Sequence, residues 1–232
     1  MRPFFLPMLF ATVATAAPLK FSSGENHTHL IELYSSEGCS SCPPAEEWLG
    51  GLRDAPGLWR DFVPVAFHVS YWDQLGWPDR FASKEFTARQ YAYSNQWAGE
   101  SVYTPEFVRD GAEWRSRKLP PASAEKAGVL SIEYGAEGDC RIVFSIGGEA
   151  EIHVALLGAG IISEVKAGEN RGRTLRHDFV VLALQSACLV NGTAELRLPK
   201  SAESGIPRHA LAVWVTRRGD LTPLQATGGW LD

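Results

Sequence analysis

The chain is poor in cysteine, with four in 232 residues, at Cys39, Cys42, Cys140 and Cys188. They supply one C-x-x-C pair, and the six histidines offer no H-x3–5-H spacing. A structural zinc site normally takes two such pairs, or one pair with closely spaced histidines, so the sequence argues against one. Charge is also low. Lys and Arg number 22 against 27 Asp and Glu, a net of −5, which provides no basic surface for nucleic acid or for an acidic membrane. Beyond the first residues, no apolar run reaches the ~20 residues of a membrane-spanning helix. The chain has no phosphate-cradling glycine loop, no G-x-S-x-G and no convincing serine triad. It has no repeat of fixed period and no low-complexity tract. No cofactor is expected.

What is present begins with MRPFFLPMLFATVATAAP. Arg2 is a short positive region, Phe4 to Val13 is apolar, and Ala14-Thr15-Ala16 has the small-x-small pattern of a cleavage site. Residues 1–16 therefore read as a secretory signal peptide, with the mature chain starting near Ala17. No stable membrane insertion is expected after cleavage. The expected location is periplasmic or secreted, where disulfides persist. The simplest pairing is then Cys39 with Cys42 and Cys140 with Cys188, although four cysteines allow three pairings.

From about residue 27 to 127 the chain alternates strand and helix signals. His29 to Tyr34 and Phe62 to Val69 are short apolar runs that read as buried strands. Pro43 to Arg53 reads as a helix, with proline in the first turn, Glu46 and Glu47 at the positive dipole end, and Ala45, Trp48, Leu49 and Leu52 on one face. Ser83 is a suitable N-cap for a helix from Lys84 to Trp97. Glu106 to Arg109 and Ala112 to Arg115 flank Asp110-Gly111 and read as a hairpin. A short helix near Ser123 to Ala127 closes this unit. From 128 to 232 the texture is strands and tight turns, with hairpins expected at Gly147-Gly148, Asn191-Gly192 and Arg218-Gly219-Asp220. That segment reads as an antiparallel β-sandwich. Gly168 to Arg173 reads as a solvated polar loop.

The stretch Gly38-Cys39-Ser40-Ser41-Cys42-Pro43-Pro44 carries the chemistry. At a helix start, free backbone N–H groups and the positive dipole end favour a thiolate. Cys39 is then the attacking thiol and Cys42, within the next turn, resolves the mixed disulfide. Two other readings stay open. Cys39 and Cys42 with His68 from the second strand form a donor set for a soft metal such as copper. Alternatively the pair is an inert disulfide in an interaction protein. Catalysis calls for an exposed Cys39, metal delivery for His68 within reach of both sulfurs, and the inert reading for a covered disulfide.

The element order, the C-x-x-C at the first helix start and Thr104-Pro105 before a hairpin resemble a thioredoxin fold. The resemblance implies that Pro105 is cis and lies against the disulfide. It also implies that the Thr104 backbone faces the cysteines and pairs with a substrate peptide. More narrowly, Leu33 to Gly111 resembles a family of exported bacterial proteins known only as a domain of unknown function. The residues that carry this are Gly38 to Ala45, the block Phe67 to Trp77 (FHVSYWDQLGW), and Tyr103-Thr104-Pro105. There are departures from thioredoxin proper. Gly38 replaces the usual tryptophan, Ser40-Ser41 stand between the cysteines, and Tyr71 to Gly99 is an insertion. Its Tyr71, Trp72, Trp77, Asp73 and Asp79 are candidates for a cap beside the cysteines, with Asp73 a candidate buried proton acceptor. The expectation is an α/β thioredoxin-like domain at 27–127 followed by a small all-β antiparallel sandwich at 128–232. It would act as a thiol–disulfide oxidoreductase on protein thiols or disulfides, together with a redox partner.

Overall fold

A computed structural model describes residues 17–231, so the signal peptide expected at 1–16 lies outside the described residues. Strand β1 (Leu19–Ser22) leads to β2 (His29–Ser35), buried from Leu30 onward. Helix α1 (Pro43–Gly50) follows the cysteine turn. Its two prolines suit a first helical turn, and Gly50-Gly51 stop it early, where a 3-10 turn at Gly51–Asp54 takes over. Strand β3 (Phe62–His68) is buried throughout and runs parallel to β2. A 3-10 segment, Ser70–Leu75, precedes α2 (Lys84–Gln96). The Ser83 hydroxyl accepts the N–H groups of Glu85 and Phe86 and so caps α2. Strands β4 (Glu106–Arg109) and β5 (Ala112–Glu113) form a hairpin about Asp110-Gly111, both at positive φ, as a two-residue hairpin turn requires.

The remaining chain is strand. In order come β6 (Leu130–Tyr134), β7 (Asp139–Phe144), β8 (Ala150–Ala159), β9 (Ile161–Glu164) and β10 (Thr174–His177). They are followed by β11 (Val180–Leu189), β12 (Thr193–Arg197), β13 (Arg208–Arg217) and β14 (Pro223–Trp230).

The strands correct the expected fold. One eight-stranded sheet runs β14-β13-β8-β11-β3-β2-β4-β5, and so joins strands from both sides of residue 128. Of the described residues 43% are in strand and 14% in helix, which is not a typical α/β thioredoxin fold with a separate sandwich appended. The seam lies where β11 runs parallel to β3, with Val180 opposite Ala66 and the Ala66 N–H donating to the Phe179 carbonyl at 2.8 Å. An uncovered β3 edge would expose unpaired backbone groups, and β11 covers it.

Strands β2, β3, β8 and β13 are buried on both faces, which explains their apolar runs. Along β8, Ile152, Val154 and Leu156 face one core, while Ala155 and Leu157 face the other. β13 alternates likewise, with Leu211, Val213 and Val215 against Ala210, Ala212 and Trp214. The first set meets Leu130, Ile132, Ile142 and Phe144 of a second, four-stranded sheet, β1-β6-β7-β12. The second set shares its core with β2, β3, α1 and α2.

Two expected hairpins follow from this differently. Gly147-Gly148 carries the chain from β7 in one sheet to β8 in the other, so these strands do not pair. At Asn191-Gly192 a single bridge, Val190 to Thr193, is made before β11 and β12 diverge into different sheets. The β13–β14 pair is a true hairpin. No helix forms near Ser123; Lys126 bridges Asn26 instead.

Candidate functional site

Cys39 and Cys42 form a disulfide, with Cα atoms 5.4 Å apart, and Cys42 is the N-cap of α1. The turn is held by backbone bonds from Cys39 N–H to Ser36 O (3.1 Å) and from Cys42 N–H to Cys39 O (3.2 Å). The helix start supplies few free donors. Pro43 and Pro44 have no N–H, and the N–H groups of Ala45 and Glu46 both go to the Cys42 carbonyl. The backbone support for a thiolate expected from a helix end is thus largely used up by the helix itself. The nearest donor to sulfur is the Ser41 hydroxyl, 3.4 Å from Cys39 Sγ.

Both cysteines are 0% exposed, contrary to the exposed Cys39 that catalysis calls for. The inserted segment packs beside them. Trp72 packs so close to Gly38 that a Cβ there would lie 3.0 Å from the Trp72 Cβ, which explains glycine immediately before Cys39. The Trp72 indole N–H donates to Thr104 Oγ1 at 2.8 Å. Ser41 Oγ lies 3.4 Å from the Thr104 carbonyl, and the Thr104–Pro105 peptide bond is cis. Trp72 therefore bridges the two chain segments on either side of the disulfide. A loop from the other half closes the turn as well. Asn170, read from sequence as part of a solvated loop, is buried and donates to the carbonyls of Glu37 (2.8 Å) and Cys39 (2.9 Å). The Glu169 carboxylate accepts the Ser40 N–H at 3.1 Å.

Next to the turn lies a buried group of ionisable side chains. Glu37 precedes Cys39 by two residues and Glu46 lies one helical turn past Cys42. His68 ends β3 and His177 ends β10. His177 Nδ1 contacts Glu46 Oε2, and its Nε2 is 3.2 Å from Glu37 Oε1. The Ser35 hydroxyl donates to Glu46 Oε1. His68 Nδ1 is 2.6 Å from Asp79 Oδ2, which also accepts the Glu37 N–H at 2.8 Å. The Trp77 indole N–H donates to Glu37 Oε2 at 2.7 Å. The His68 and His177 rings meet edge to face with centroids 5.2 Å apart.

These contacts set the charges. Burial opposes ionisation of Glu37, but hydrogen bonds from His177, Ser163 and Trp77 hold its pKa at about 2. Burial likewise opposes the charge on His177, yet Glu46 and Glu37 outweigh it and raise the pKa to about 10. Against the same burial, Glu46 is lowered mainly by His177, and Asp79 mainly by His68. Asp73, the candidate proton acceptor, is only partly buried; burial raises its pKa, and its Oδ1 accepts the Asp79 N–H at 3.0 Å. Asp79 holds the buried position instead.

The soft-metal donor set of Cys39, Cys42 and His68 is not assembled. The cysteines are bonded to each other, and the metal-ligand cluster that includes His68 contains neither of them. Among the described residues, two clusters have metal-ligand geometry, His27/His29/Asp110 and Glu46/His68/His177, and neither includes a cysteine. The expected Cys140–Cys188 disulfide is absent. Cys140 is a buried thiol in β7, whereas Cys188 is an exposed thiol in β11, which belongs to the other sheet. Sequence reasoning gave Glu46 only a dipole role, placed Asn170 in a solvated loop and passed over His177, both of which lie more than 120 residues further along the chain.

Comparisons with known proteins place the chain. A family model described as "Protein of unknown function (DUF1223)" matches residues 30–216. A crystal structure of a protein from Agrobacterium tumefaciens is 25% identical, with a TM-score of 0.65, over 88% of this chain and 95% of that one. HBP35 of Porphyromonas gingivalis is 12% identical, with a TM-score of 0.57, over 90% of this chain and 77% of that one, a likeness of fold alone. No curated protein matches the chain.

Proposed function

The chain belongs to the DUF1223 family, whose description assigns no activity, and we propose from its own residues that it is an exported thiol–disulfide exchange protein with a covered disulfide. The carrying observation is the Cys39–Cys42 disulfide at the start of α1 with the Thr104 carbonyl alongside. In the reduced state, the Cys39 thiolate attacks a disulfide of a protein substrate and expels one substrate thiolate. The Cys42 thiolate then attacks the Cys39 sulfur and expels the second. Two electrons pass to the substrate, and a dithiol redox partner restores the pair. Thr104 and Pro105 form the wall of the substrate groove, which opens when the Ser70–Leu75 segment moves Trp72 aside. The export reading rests on residues 1–16.

The surroundings favour a reducing rather than an oxidising pair. Oxidants stabilise the thiolate, whereas here the backbone donors are engaged and three carboxylates face two histidines nearby. Equilibration in dithiol–disulfide buffers should give a reversible potential near the reducing end of the exchange range, about −270 mV. A Cys42→Ser variant should accumulate mixed disulfides through Cys39. The complete burial of both cysteines favours a second reading, a structural disulfide. A potential below about −300 mV, with no mixed disulfide trapped on Cys39, would replace exchange with that reading.

A further inference from the structure

The buried cluster of Glu46, His68 and His177 contains an observation that the exchange chemistry does not use. His68 is 0% exposed, and its Nε2 has no hydrogen-bond partner. A fully buried ring nitrogen without a partner is rare and calls for an explanation, often an ion or a water. Each of the three side chains offers one donor atom, and these atoms lie within 4.8 Å of one another. A tetrahedral ion with bonds of 2.0–2.2 Å sets its donors about 3.4 Å apart, so closing on an ion requires shifts of no more than ~1.5 Å.

The surroundings have the form of an outer shell. Histidine ligands commonly direct their second ring nitrogen at a carboxylate, which fixes the tautomer and leaves the other nitrogen free to bind. His68 does this with Asp79 through Nδ1. His177 contacts Glu46 through Nδ1 and turns Nε2 toward Glu37, 3.2 Å away. Glu46 contacts His177 through Oε2, while its Oε1 accepts from Ser35. His68 and Glu46 are thus each oriented from the far side, by Asp79 and Ser35, while His177 and Glu46 meet each other where the ion would enter and His177 Nε2 is, like His68 Nε2, without a hydrogen bond. Glu46 alone of the three also lines a hollow of about 350 Å³ between α1 and β10. The other cluster, His27/His29/Asp110, has no such orphan. His27 Nδ1 meets the Leu224 carbonyl, its Nε2 meets Asp110, and His29 Nδ1 also meets Asp110.

We propose that Glu46, His68 and His177 form a binding site for a divalent transition-metal ion, zinc by its two-imidazole, one-carboxylate donor set, separate from the cysteines. Asp79, Glu37 and Ser35 are positioning residues for it. The ion would tie together α1, β3 and β10, which come from distant parts of the chain.

The test is metal content per chain after expression with added zinc, followed by Co(II) titration of the chelator-stripped protein. One ion per chain is expected in the wild type and in Cys39→Ser/Cys42→Ser. The Co(II) form should show visible ligand-field bands and no thiolate charge-transfer band. His177→Gln should lose the ion, and Asp79→Asn should weaken binding about 10- to 100-fold. Should His177→Gln fail to fold by circular dichroism, Asp79→Asn decides alone. Folded wild-type protein that takes up no ion overturns the proposal, leaving water and protons to close the cluster. A thiolate band, unchanged affinity in Asp79→Asn, or an ion lost with His29→Gln but kept in folded His177→Gln also overturns it.

Discussion

Replacing Trp72 with alanine tests whether the inserted segment governs access to the disulfide. Two contacts disappear. The indole N–H bond to Thr104 Oγ1, 2.8 Å long, contributes about 1 kcal/mol net. The packing of the ring contributes more. A fully buried tryptophan loses 3–5 kcal/mol on truncation, and Trp72 is partly buried, so about 1–2 kcal/mol is reasonable. Both contacts exist only while the segment is closed over Gly38 and Thr104. Their combined ~2–3 kcal/mol should therefore favour the open state, and with tenfold for every 1.4 kcal/mol the accessible fraction rises about 30- to 150-fold. The assay is the rate at which dithiothreitol reduces the Cys39–Cys42 bond at fixed pH, read by alkylation and mass. Trp72→Phe keeps most of the packing and loses only the hydrogen bond, so about fivefold is expected. A Trp72→Ala rate within threefold of wild type, in a protein with native circular dichroism, would refute Trp72 as the cover. Access would then be governed by the Asn170 loop.

Other consequences are open to direct measurement. Arg89 forms a two-pronged buried pair with Glu32, at 2.8 and 3.1 Å, and Glu32 is 1% exposed. Arg89→Leu leaves that carboxylate without its cation, held only by the Tyr34 and Tyr93 hydroxyls, and should lower urea stability by about 3–5 kcal/mol, whereas adding Glu32→Leu should restore part of it. His153 is buried between Ser186 and Thr216 and stacked on Trp214; burial, aided by the charge of Arg89, lowers its pKa to about 3. Below pH 6.5 the unfolded chain binds a proton there that the folded chain refuses. Stability held above pH 6.5 should thus fall toward pH 3 by up to about 1.4 kcal/mol per unit, and this component should vanish in His153→Gln. Alkylation without reductant should label two thiols in denaturant but only Cys188 in the native protein, since Cys140 is buried and its thiol is pushed up to about 11 by that burial. Labelling of neither in denaturant would mean that they are bonded.

Much of the site's local form was legible in the sequence. The strand, cysteine turn and helix from His29 to Gly50 follow from a short apolar run, a proline pair and a glycine stop. Ser83 announced the start of α2, and Asp110-Gly111 the β4–β5 turn. Trp72, Trp77 and Asp79 stood out as candidates for either a cap or the packing of the inserted helix, because they crowd the insertion after β3. Each of these signals acts over a few residues, through backbone sterics, capping bonds or side-chain period, so a linear reading reaches it. Which strands share a sheet was decided elsewhere. Gly147-Gly148 reads equally well as a hairpin turn and as a crossing between sheets, and the choice depends on which faces of β8 and β13 find apolar partners. The same holds for the pairing of β11 with β3, for Asn170 closing over Cys39, and for His177 meeting Glu46 across 131 residues. Burial and electrostatic pairing are settled only when distant segments compete for the same interior. The sequence by itself therefore determined the cysteine turn and its helix, while tertiary packing decided that the bonded pair is covered and that charged side chains gather beside it.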